Sequence, residues 1–374
     1  MEDLVNVKET ILPKAETAVL AMRTLYESFG YTKYKMSKFE DYDLYRDNKR
    51  FLPKGEIITF PNRDGRLLAL KPDVTLSIVK NAREGEQIRE YYNENVYRGM
   101  DGEHREIMQV GLECIGEIDL YSTCEVIRLA KKTLSIICED SILDVSHGAF
   151  VGGLLAGLPI DGCRDRFHSC IAGKNAHELA RLCAECGVDT ETTGKLTKLL
   201  TLYGPFAAIR DEMQALVSND EMADAITELE AIDNYFRAIG EDAGIAVDLS
   251  LVNDMQYYTG VLFRGYVQGV PTGVLSGGRY DGLLQRMQKN GMGAVGFAVN
   301  MNLLDLYFDE GKGKEYDVDI LVTYDSGTDM ASLSRTVDML MGGGRSVRVQ
   351  KQADSKLRYR EKFHYGERGL EIRD

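Results

Sequence analysis

The stretch IMQVGLECIG at 107–116 combines polar side chains with the alternation of a β-strand. Alternate residues of a strand point to opposite faces, so Gln109, Gly111 and Glu113 share one face. Gly111 leaves space between the amide and the carboxylate, and such a cavity could hold a small ligand that carries an ammonium group. The alternative is that this face meets solvent, as Gln and Glu usually do when they stand alone.

Two further segments place tyrosine hydroxyls beside glycines. Tyr257 and Tyr258 lie in QYYTG, and Tyr280 lies in SGGRYDG at 276–282. Glycine permits close approach of the backbone, and buried tyrosine hydroxyls need hydrogen-bond partners. The glycines of SGGRYDG match neither a Walker A loop nor a GxGxxG fingerprint. We therefore interpret both segments as candidate parts of the same ligand site.

Patterns of common catalytic and metal sites are missing from the sequence. It contains no GxSxG nucleophile elbow and no HExxH zinc motif. Val151-Gly152-Gly153 predicts a turn rather than a phosphate loop. Seven cysteines, odd in number and irregularly spaced, are typical of reduced thiols. Cys183 and Cys186 have CxxC spacing without a second tight pair, so we predict helix cysteines, with no metal and no cofactor.

The elements that must position these residues follow from periodicity. A helix is predicted from Pro13 to Gly30 because apolar residues recur at helical spacing. A second helix is predicted after Lys71-Pro72, with Asp73 in its first turn. Asp73 could pair with Glu113 as a second carboxylate. The apolar stripe of the first helix consists of Ala18, Met22, Leu25 and Phe29. Short strands with period two are predicted at 57–60, 67–70, 91–97 and 107–115.

The rest of the chain changes character twice. Residues 120–240 are rich in Ala, Leu, Glu and Lys, which predicts helices. Strands follow, joined by a hairpin at VQGVPTG, and favour an antiparallel sheet. The last 60 residues predict a small α/β unit. The antiparallel strands are predicted at 245–252, 257–267 and 273–276. The C-terminal unit is predicted to consist of a strand at 316–324, a helix at 328–341, a strand at 346–350 and a helix at 353–364.

Length and charge bound the functional classes. The 374 residues suggest two or three domains, each long enough for a core. A formal net charge of −14 argues against nucleic-acid binding. The sequence has no apolar run of the roughly 18 residues that span a membrane, and MEDLVNVKET does not resemble a signal peptide, so a cytoplasmic location is expected.

Five segments in order resemble the histidyl-tRNA synthetase family: LALKPDVT, NVYRGMDGEHREIMQVGLECIG, LVNDMQYYTGVLF, LSGGRYDGL and AVGFAVNMNLL. The resemblance implies an α+β class II synthetase domain over 1–310, with a mostly antiparallel sheet, flanking helices and a helical insertion at about 160–240. It implies dimerisation through the N-terminal part. Residues 315–374 resemble a shortened anticodon-binding domain.

A histidine pocket is also implied. In the family, one Gln/Glu pair holds the ammonium group, and Gln109 and Glu113 match it; tyrosines form the wall around the imidazole. The positions that the resemblance assigns to histidine binding are Asp73, Thr75, Arg105, Gln109, Glu113, Tyr257, Tyr258 and Tyr280.

Positions that the family uses for catalysis have changed. Amino-acid activation needs cations on the developing phosphoryl charge. Arg98 retains the first arginine, as a residual nucleotide-site residue. Asn253 and Leu303 replace two other arginines, and Met100 replaces a glutamate. The loop from Arg98 to Arg105 is also shortened, so adenylate formation should be absent.

Retained binding residues beside lost catalytic ones resemble the ATP phosphoribosyltransferase regulatory subunits, the non-catalytic paralogue family. This resemblance implies a non-enzymatic chain in histidine biosynthesis that joins a short catalytic subunit in a hetero-oligomer, permits its activity and conveys inhibition by histidine. It implies self-association as a dimer within that assembly. The alternatives are a divergent histidyl-tRNA synthetase-like enzyme and a stand-alone histidine-binding protein.

Overall fold

The computed structural model describes residues 14–52, 55–100, 102–252, 258, 260–308, 316–342, 344–366 and 369–372. These residues form two compact units, Lys14–Asp305 and residues 306–372. No helix in the described ranges is long and apolar enough to cross a membrane.

The strands belong to one nine-stranded sheet, one four-stranded sheet and one three-stranded sheet. They are β1 Thr32–Lys33, β2 Phe39–Asp41, β3 Thr59–Pro61, β4 Leu67–Leu70, β5 Ile88–Met100, β6 Glu103–Gly116, β7 Ser141–His147, β8 Tyr203–Gly204, β9 Ile245–Asp248, β10 Val261–Val267, β11 Leu275–Arg279, β12 Gly293–Asn300, β13 Val318–Tyr324, β14 Val347–Gln350, β15 Tyr359–Gly366 and β16 Gly369–Ile372.

Helices flank these sheets and make up most of the segment between β7 and β9. The α-helices are α1 Lys14–Ser28, α2 Tyr42–Asp47, α3 Thr75–Asn81, α4 Leu120–Ile137, α5 Gly148–Leu155, α6 Arg164–Ala172, α7 Ala176–Cys186, α8 Thr190–Leu199, α9 Phe206–Gln214, α10 Asp220–Ala238, α11 Asp281–Arg286, α12 Asp305–Phe308 and α13 Met330–Met341, and 3-10 turns occupy Lys49–Phe51 and Met301–Leu304.

The nine-stranded sheet is the framework of the larger unit. Its strand order is β1-β5-β6-β12-β11-β10-β7-β9-β8. The pairs β1/β5 and β7/β9 are parallel, and the other six pairs are antiparallel. The predicted, mostly antiparallel α+β sheet is therefore confirmed.

One face of this sheet is covered by α1 and α4. The Tyr26 ring lies 5.8 Å from the ring of Tyr91 and 6.1 Å from that of Phe297, and Phe263 stacks on Phe297 in turn. Burial of these rings is the main gain from packing α1 on the sheet. The predicted helix is confirmed, with Ala18 and Met22 buried. The second half of the predicted stripe is wrong: Leu25 and Phe29 are only half-buried, and Tyr26 is the buried residue there.

The opposite face carries the polar positions of β6. There α3 and the three-stranded sheet β2-β4-β3 pack over β5, β6 and β12 around an apolar cluster. Asp73 precedes α3 instead of lying in its first turn, and its Oδ1 accepts a 2.8 Å hydrogen bond from the Leu76 N–H. The aspartate thus satisfies one of the amides that a helix start leaves open.

Two predictions for the middle of the chain are wrong. Residues 141–147, expected to be helical, form β7 inside the large sheet, where they pair with β9 and β10. Residues 151–153, expected to be a turn, lie within α5. A Cβ atom on Gly153 would lie 2.6 Å from Met222, so this glycine lets α5 and α10 approach closely. Tertiary packing, not local turn chemistry, explains it.

The helices α6–α10, which we call the insertion, follow α5. Side chains of Asn175, Asp189 and Asn219 accept hydrogen bonds from the first turns of α7, α8 and α10. Such caps stabilise a helix start by about 1 kcal/mol each. The predicted helices of this region are confirmed.

The smaller unit contains a four-stranded sheet of order β14-β13-β15-β16, with α13 connecting the parallel strands β13 and β14. Ile320, Val322 and Leu333 form its buried core. The helix predicted at 353–364 is wrong: Tyr359–Gly366 is a strand that pairs in parallel with β13 and antiparallel with β16. Phe363 packs against the core from this strand, so pairing on both sides overrides the local helical preference.

Candidate functional site

Glu113 is the centre of a buried polar cluster on the sheet face opposite α1 and α4. Its carboxylate accepts a 2.6 Å hydrogen bond from the Thr75 hydroxyl and a 2.5 Å bond from the Tyr280 hydroxyl. The Tyr92 hydroxyl is a third partner. Only 2% of Glu113 is exposed. Three hydroxyl groups from β5, α3 and the end of β11 therefore orient one carboxylate.

Glycines on neighbouring strands create the space for this cluster. A Cβ atom on Gly296 of β12 would lie 1.8 Å from Glu113 Oε2, and one on Gly111 would lie 2.7 Å from the Tyr92 hydroxyl. The cavity predicted at Gly111 stays a prediction, because the Phe297 carbonyl and the Tyr92 hydroxyl occupy the space beside this glycine.

Tyr258 approaches the same face from the segment before β10. A Cβ atom on Gly278, within SGGRYDG, would lie 2.7 Å from the Tyr258 ring. The Tyr258 carbonyl lies next to Gly148 at the start of α5, and the Gly148 N–H donates a 2.9 Å hydrogen bond to Gly260. The start of α5 therefore holds the segment that carries Tyr258.

Arg98 brings the cation of the cluster. Its Nε donates a 2.9 Å hydrogen bond to the Pro72 carbonyl, directly before Asp73. Burial lowers the pKa of Arg98, and the charge of Asp73 opposes that shift. Its Nη2 is buried and has no hydrogen-bond partner within the described ranges. A buried guanidinium N–H without a hydrogen-bond partner is a candidate donor to an anionic group.

The cluster holds more acid than base. The pKa of Glu113 is raised to about 8: burial and, to a smaller degree, the charge of Asp73 raise it, while its hydroxyl partners lower it. Burial also raises the pKa of Asp73. Arg98 compensates the charge of Asp73 but not that of Glu113, so burial favours the protonated form of both carboxyl groups. A ligand cation would replace those protons.

The other predicted site residues lie further away or outside the described ranges. Gln109 shares the face of Glu113 but lies four positions along β6, about 13 Å at the usual rise per residue. Arg105 is exposed, 3.6 Å from Glu103. Tyr257 and Asn253 fall outside the described residues. The structure therefore brings together Asp73, Thr75, Arg98, Glu113, Tyr258 and Tyr280.

Sequence reasoning missed Tyr92. It is 1% exposed, and burial followed by the charge of Glu113 raises its pKa well above the ordinary value. The register places it beside Gly111 on the neighbouring strand. A tyrosine aligned with a strand glycine was the available signal, but it depends on knowing the pairing of β5 with β6.

The hairpin of β5 and β6 is closed almost to its tip. Arg98 pairs with Arg105 and Met100 with Glu103, which leaves residues 101 and 102 as the connection. Gly102 has a φ of 81°, as a two-residue hairpin turn requires. Leu303 lies in the 3-10 turn after β12 and is 37% exposed. Hydrophobic surface therefore stands where the resemblance places an arginine.

The cluster combines buried carboxylates, tyrosine hydroxyls and one arginine. No group of three or more His, Cys, Asp or Glu side chains that could hold a metal occurs in the described part of the chain. The buried carboxylates and the open donor of Arg98 suit a ligand with a cation and an anion a few bonds apart, and the tyrosines suit an adjoining flat polar ring.

A mostly antiparallel sheet flanked by helices in this arrangement is the class II aminoacyl-tRNA synthetase fold. The histidyl-tRNA synthetase model matches residues 6–304. The chain therefore belongs to the histidyl-tRNA synthetase family.

Curated relatives of this chain are named ATP phosphoribosyltransferase regulatory subunits. The ATP phosphoribosyltransferase regulatory subunit of Clostridium kluyveri is 29% identical over 295 residues, which cover 75% of this chain and 74% of the relative. That of Oceanobacillus iheyensis is 26% identical over 302 residues, covering 79% of this chain and 74% of the relative.

Solved structures share the fold. The ATP phosphoribosyltransferase regulatory subunit/histidyl-tRNA synthetase from Bacillus halodurans C superposes with a TM-score of 0.78 at 23% identity, covering 94% of each chain. The ATP phosphoribosyl transferase (HisG:HisZ) complex from Thermotoga maritima gives a TM-score of 0.60 at 19% identity, covering 77% of this chain and 97% of that one.

Proposed function

We propose that this protein is the histidine-sensing regulatory subunit of ATP phosphoribosyltransferase. It binds a short catalytic subunit in a hetero-oligomer, is required for that subunit's activity, and conveys feedback inhibition by L-histidine. It contributes to the assembly as a dimer, acts in the cytoplasm and has no catalytic activity of its own. The names of its relatives support this proposal. So do the buried polar cluster around Glu113 and the short connection between β5 and β6.

The proposed ligand is inferred from the charges of the cluster. Glu113 and Asp73 favour the ammonium group of an α-amino acid, and the open Nη2 of Arg98 favours its carboxylate. A zwitterion therefore neutralises both ends of the cluster. Tyr258 and Tyr280 supply the flat polar surfaces beside an imidazole ring. Gln109 and Arg105 belong to the proposed pocket at its outer end, and Tyr257 remains a proposed histidine-binding residue on the resemblance alone.

The proposed loss of catalysis has two grounds: charged side chains of the family's catalytic site are replaced, and the β5/β6 connection is too short to cover ATP. Removing a single contact to a developing transition-state charge costs about 10²- to 10³-fold in rate. Here Leu303 and Asn253 stand at two arginine positions of the family, and Met100 at a third catalytic position. The two-residue connection after Met100 leaves no loop to lie over ATP. A site that binds histidine without consuming it is suited to sensing, provided that binding differs between two states of the assembly.

The test is the rate of phosphoribosyl-ATP formation by the short catalytic subunit of the same organism, with and without this chain, during a titration with L-histidine. We expect the chain to raise the rate and histidine to suppress it. Glu113→Gln should still raise the rate but need at least tenfold more histidine for inhibition, since a charge-assisted hydrogen bond contributes about 1.5–3 kcal/mol.

Two results would contradict the proposal. An unchanged rate, together with histidine binding by the isolated chain, would make the protein a stand-alone sensor. Histidine-dependent ATP–pyrophosphate exchange would make it a synthetase-like enzyme. Glu106→Gln is the matched control, because Glu106 lies on the same strand but pairs with Asn95 and Tyr97 in solvent.

A further inference from the structure

Two thiols of the insertion lie in direct contact. The sulfur atoms of Cys163 and Cys186 are 2.9 Å apart and half exposed. Cys163 directly precedes α6, and Cys186 is the last residue of α7. Because α6 and α7 form a hairpin across residues 173–175, the two sulfurs meet at its open end.

The surroundings give the two sulfurs different chemistry. The hydrogen bond with Cys163, followed by burial, raises the pKa of Cys186 to about 11. Cys186 therefore keeps its proton and can donate it to the sulfur of Cys163. Cys163 stands at the positive end of α6, a nine-residue helix. Arg166, one turn into that helix, lies near Cys186 and pairs with Glu178 and Glu185.

We propose that Cys163 and Cys186 are a redox-active dithiol that low-molecular-weight disulfides oxidise to an intramolecular disulfide. This inference rests on the insertion alone and is independent of the proposed function. It assigns Cys163 as the attacking sulfur and Cys186 as the resolving sulfur. The bond would fasten the two open ends of the α6–α7 hairpin across 23 positions of the chain.

The reaction proceeds by two exchanges. The Cys163 thiolate attacks one sulfur of the small disulfide RSSR, a mixed disulfide forms, and one RS⁻ leaves. Cys186 then loses its proton to solvent, attacks the Cys163 sulfur and releases the second RS⁻. The protein loses two protons and two electrons, and RSSR gains both as two RSH. A reducing thiol reverses the reaction.

Other cysteines of the chain serve as internal controls. Cys114, Cys124, Cys170 and Cys183 are buried, and small oxidants should reach them slowly. Cys138 is half exposed, and its thiol donates to the Asp140 carbonyl at 3.6 Å instead of to another sulfur. Cys138 therefore gives the reactivity of an accessible thiol that has no neighbouring sulfur atom.

The experiment treats the folded full-length chain with glutathione disulfide, blocks the remaining thiols with an alkylating agent and maps the peptides by mass spectrometry. We expect a cross-linked peptide pair containing Cys163 and Cys186, lighter by two hydrogen atoms and reversed by dithiothreitol. In Cys186→Ser, glutathione should stay attached to Cys163, and at least about tenfold faster than to Cys138. In Cys163→Ser, Cys186 should react no faster than Cys138.

Several outcomes would overturn the inference. One is a wild-type protein in which Cys163 and Cys186 are both alkylated after oxidation. A second is a cross-link between Cys183 and Cys186, which would mean that the CxxC spacing decides the pairing. A third is glutathione accumulation on Cys186 in Cys163→Ser at the rate seen for Cys163, which would remove the assigned roles. Circular dichroism of both serine variants shows whether they are folded.

Discussion

At the residue scale, Glu113 couples ligand binding to a proton. Its pKa is raised to about 8 by burial in the free protein, so it is mostly protonated at pH 7. A ligand ammonium at the carboxylate stabilises the charged form and lowers that pKa. The complex therefore holds fewer protons than the free protein, and binding releases them.

We expect the affinity for L-histidine to rise between pH 6 and pH 8 by up to about tenfold per pH unit and to level off above pH 8. Calorimetry in two buffers of different ionisation enthalpy measures the release, close to one proton at pH 7. Histidine's own imidazole also titrates near about pH 6.5, so Glu113→Gln is the reference. If this variant releases as many protons as the wild type, Glu113 is not the linked group.

Arg98 is expected to make the protein bind ligands with a carboxylate more tightly than ligands without one. Its open Nη2 is proposed to bind the carboxylate of histidine, which histamine lacks. Wild-type protein should therefore prefer histidine to histamine by at least tenfold, and Arg98→Met should lose most of this preference while histamine binding changes little. Calorimetry or competition binding with both ligands checks it. Equal losses for both ligands would assign Arg98 a structural role instead.

Residues of the candidate site could be predicted from the sequence only where a short sequence pattern surrounds them. Glu113 and its glycine spacing stand out within ten residues of β6, and Tyr280 lies in a distinctive glycine segment. Tyr92 does not, because its role comes from the register between β5 and β6. The partners of Arg98 were also hidden, since Pro72 and Asp73 lie 26 and 25 positions earlier in the chain.

At the element scale, the glycines of neighbouring strands set the depth of the cluster. In Gly296→Ala the new Cβ would lie 1.8 Å from Glu113 Oε2 and 2.6 Å from the Leu112 carbonyl, and the backbone oxygen cannot turn aside. We expect the Glu113 carboxylate to be displaced, histidine affinity to fall at least tenfold, and stability to fall by about 1–3 kcal/mol. Calorimetry and thermal unfolding measure the two effects.

Gly194→Ala is the matched control for this substitution. Gly194 lies inside α8, and nothing stands within 4 Å of its added Cβ. Alanine should therefore raise helix stability by up to about 1 kcal/mol and leave histidine affinity unchanged. If Gly296→Ala also binds histidine like the wild type, the close contact between β12 and Glu113 does not set the site.

Elements with strong periodicity were predicted well, and elements made by pairing were not. The stripe of α1 and the alternation of β6 are local signals. The strand β7 lies in a helix-rich segment, and its pairing with β9 and β10 stabilises it. The strand β15 is likewise held between β13 and β16, although 353–364 has the composition of a helix. Such pairing depends on residues far along the chain, beyond any local pattern.

At the scale of the whole molecule, the charge balance bears on nucleic acid. The net charge is −14 and the pI about 5.0. Residues 345–374 have nine Lys and Arg against five Asp and Glu, a local surplus that suits a solvated face or a docking surface. In filter-binding assays at 150 mM salt, as roughly physiological ionic strength, we expect no saturable binding of histidine tRNA.

Saturable binding with a steep salt dependence would contradict this expectation. It would indicate that the basic residues of the smaller unit form a phosphate-binding surface despite the acidic total. A basic tRNA-binding domain of known affinity is the positive control in the same assay.

The closed β5/β6 hairpin has a consequence for the history of the protein. Under the proposed function, a descendant could regain amino-acid activation only by lengthening the short connection between β5 and β6 and by recovering charged side chains at several separate positions. Neither change alone would restore a product on which selection could act. Under that proposal, substitutions that return one arginine at a time would persist only by drift, and the loss of amino-acid activation would work as an evolutionary ratchet.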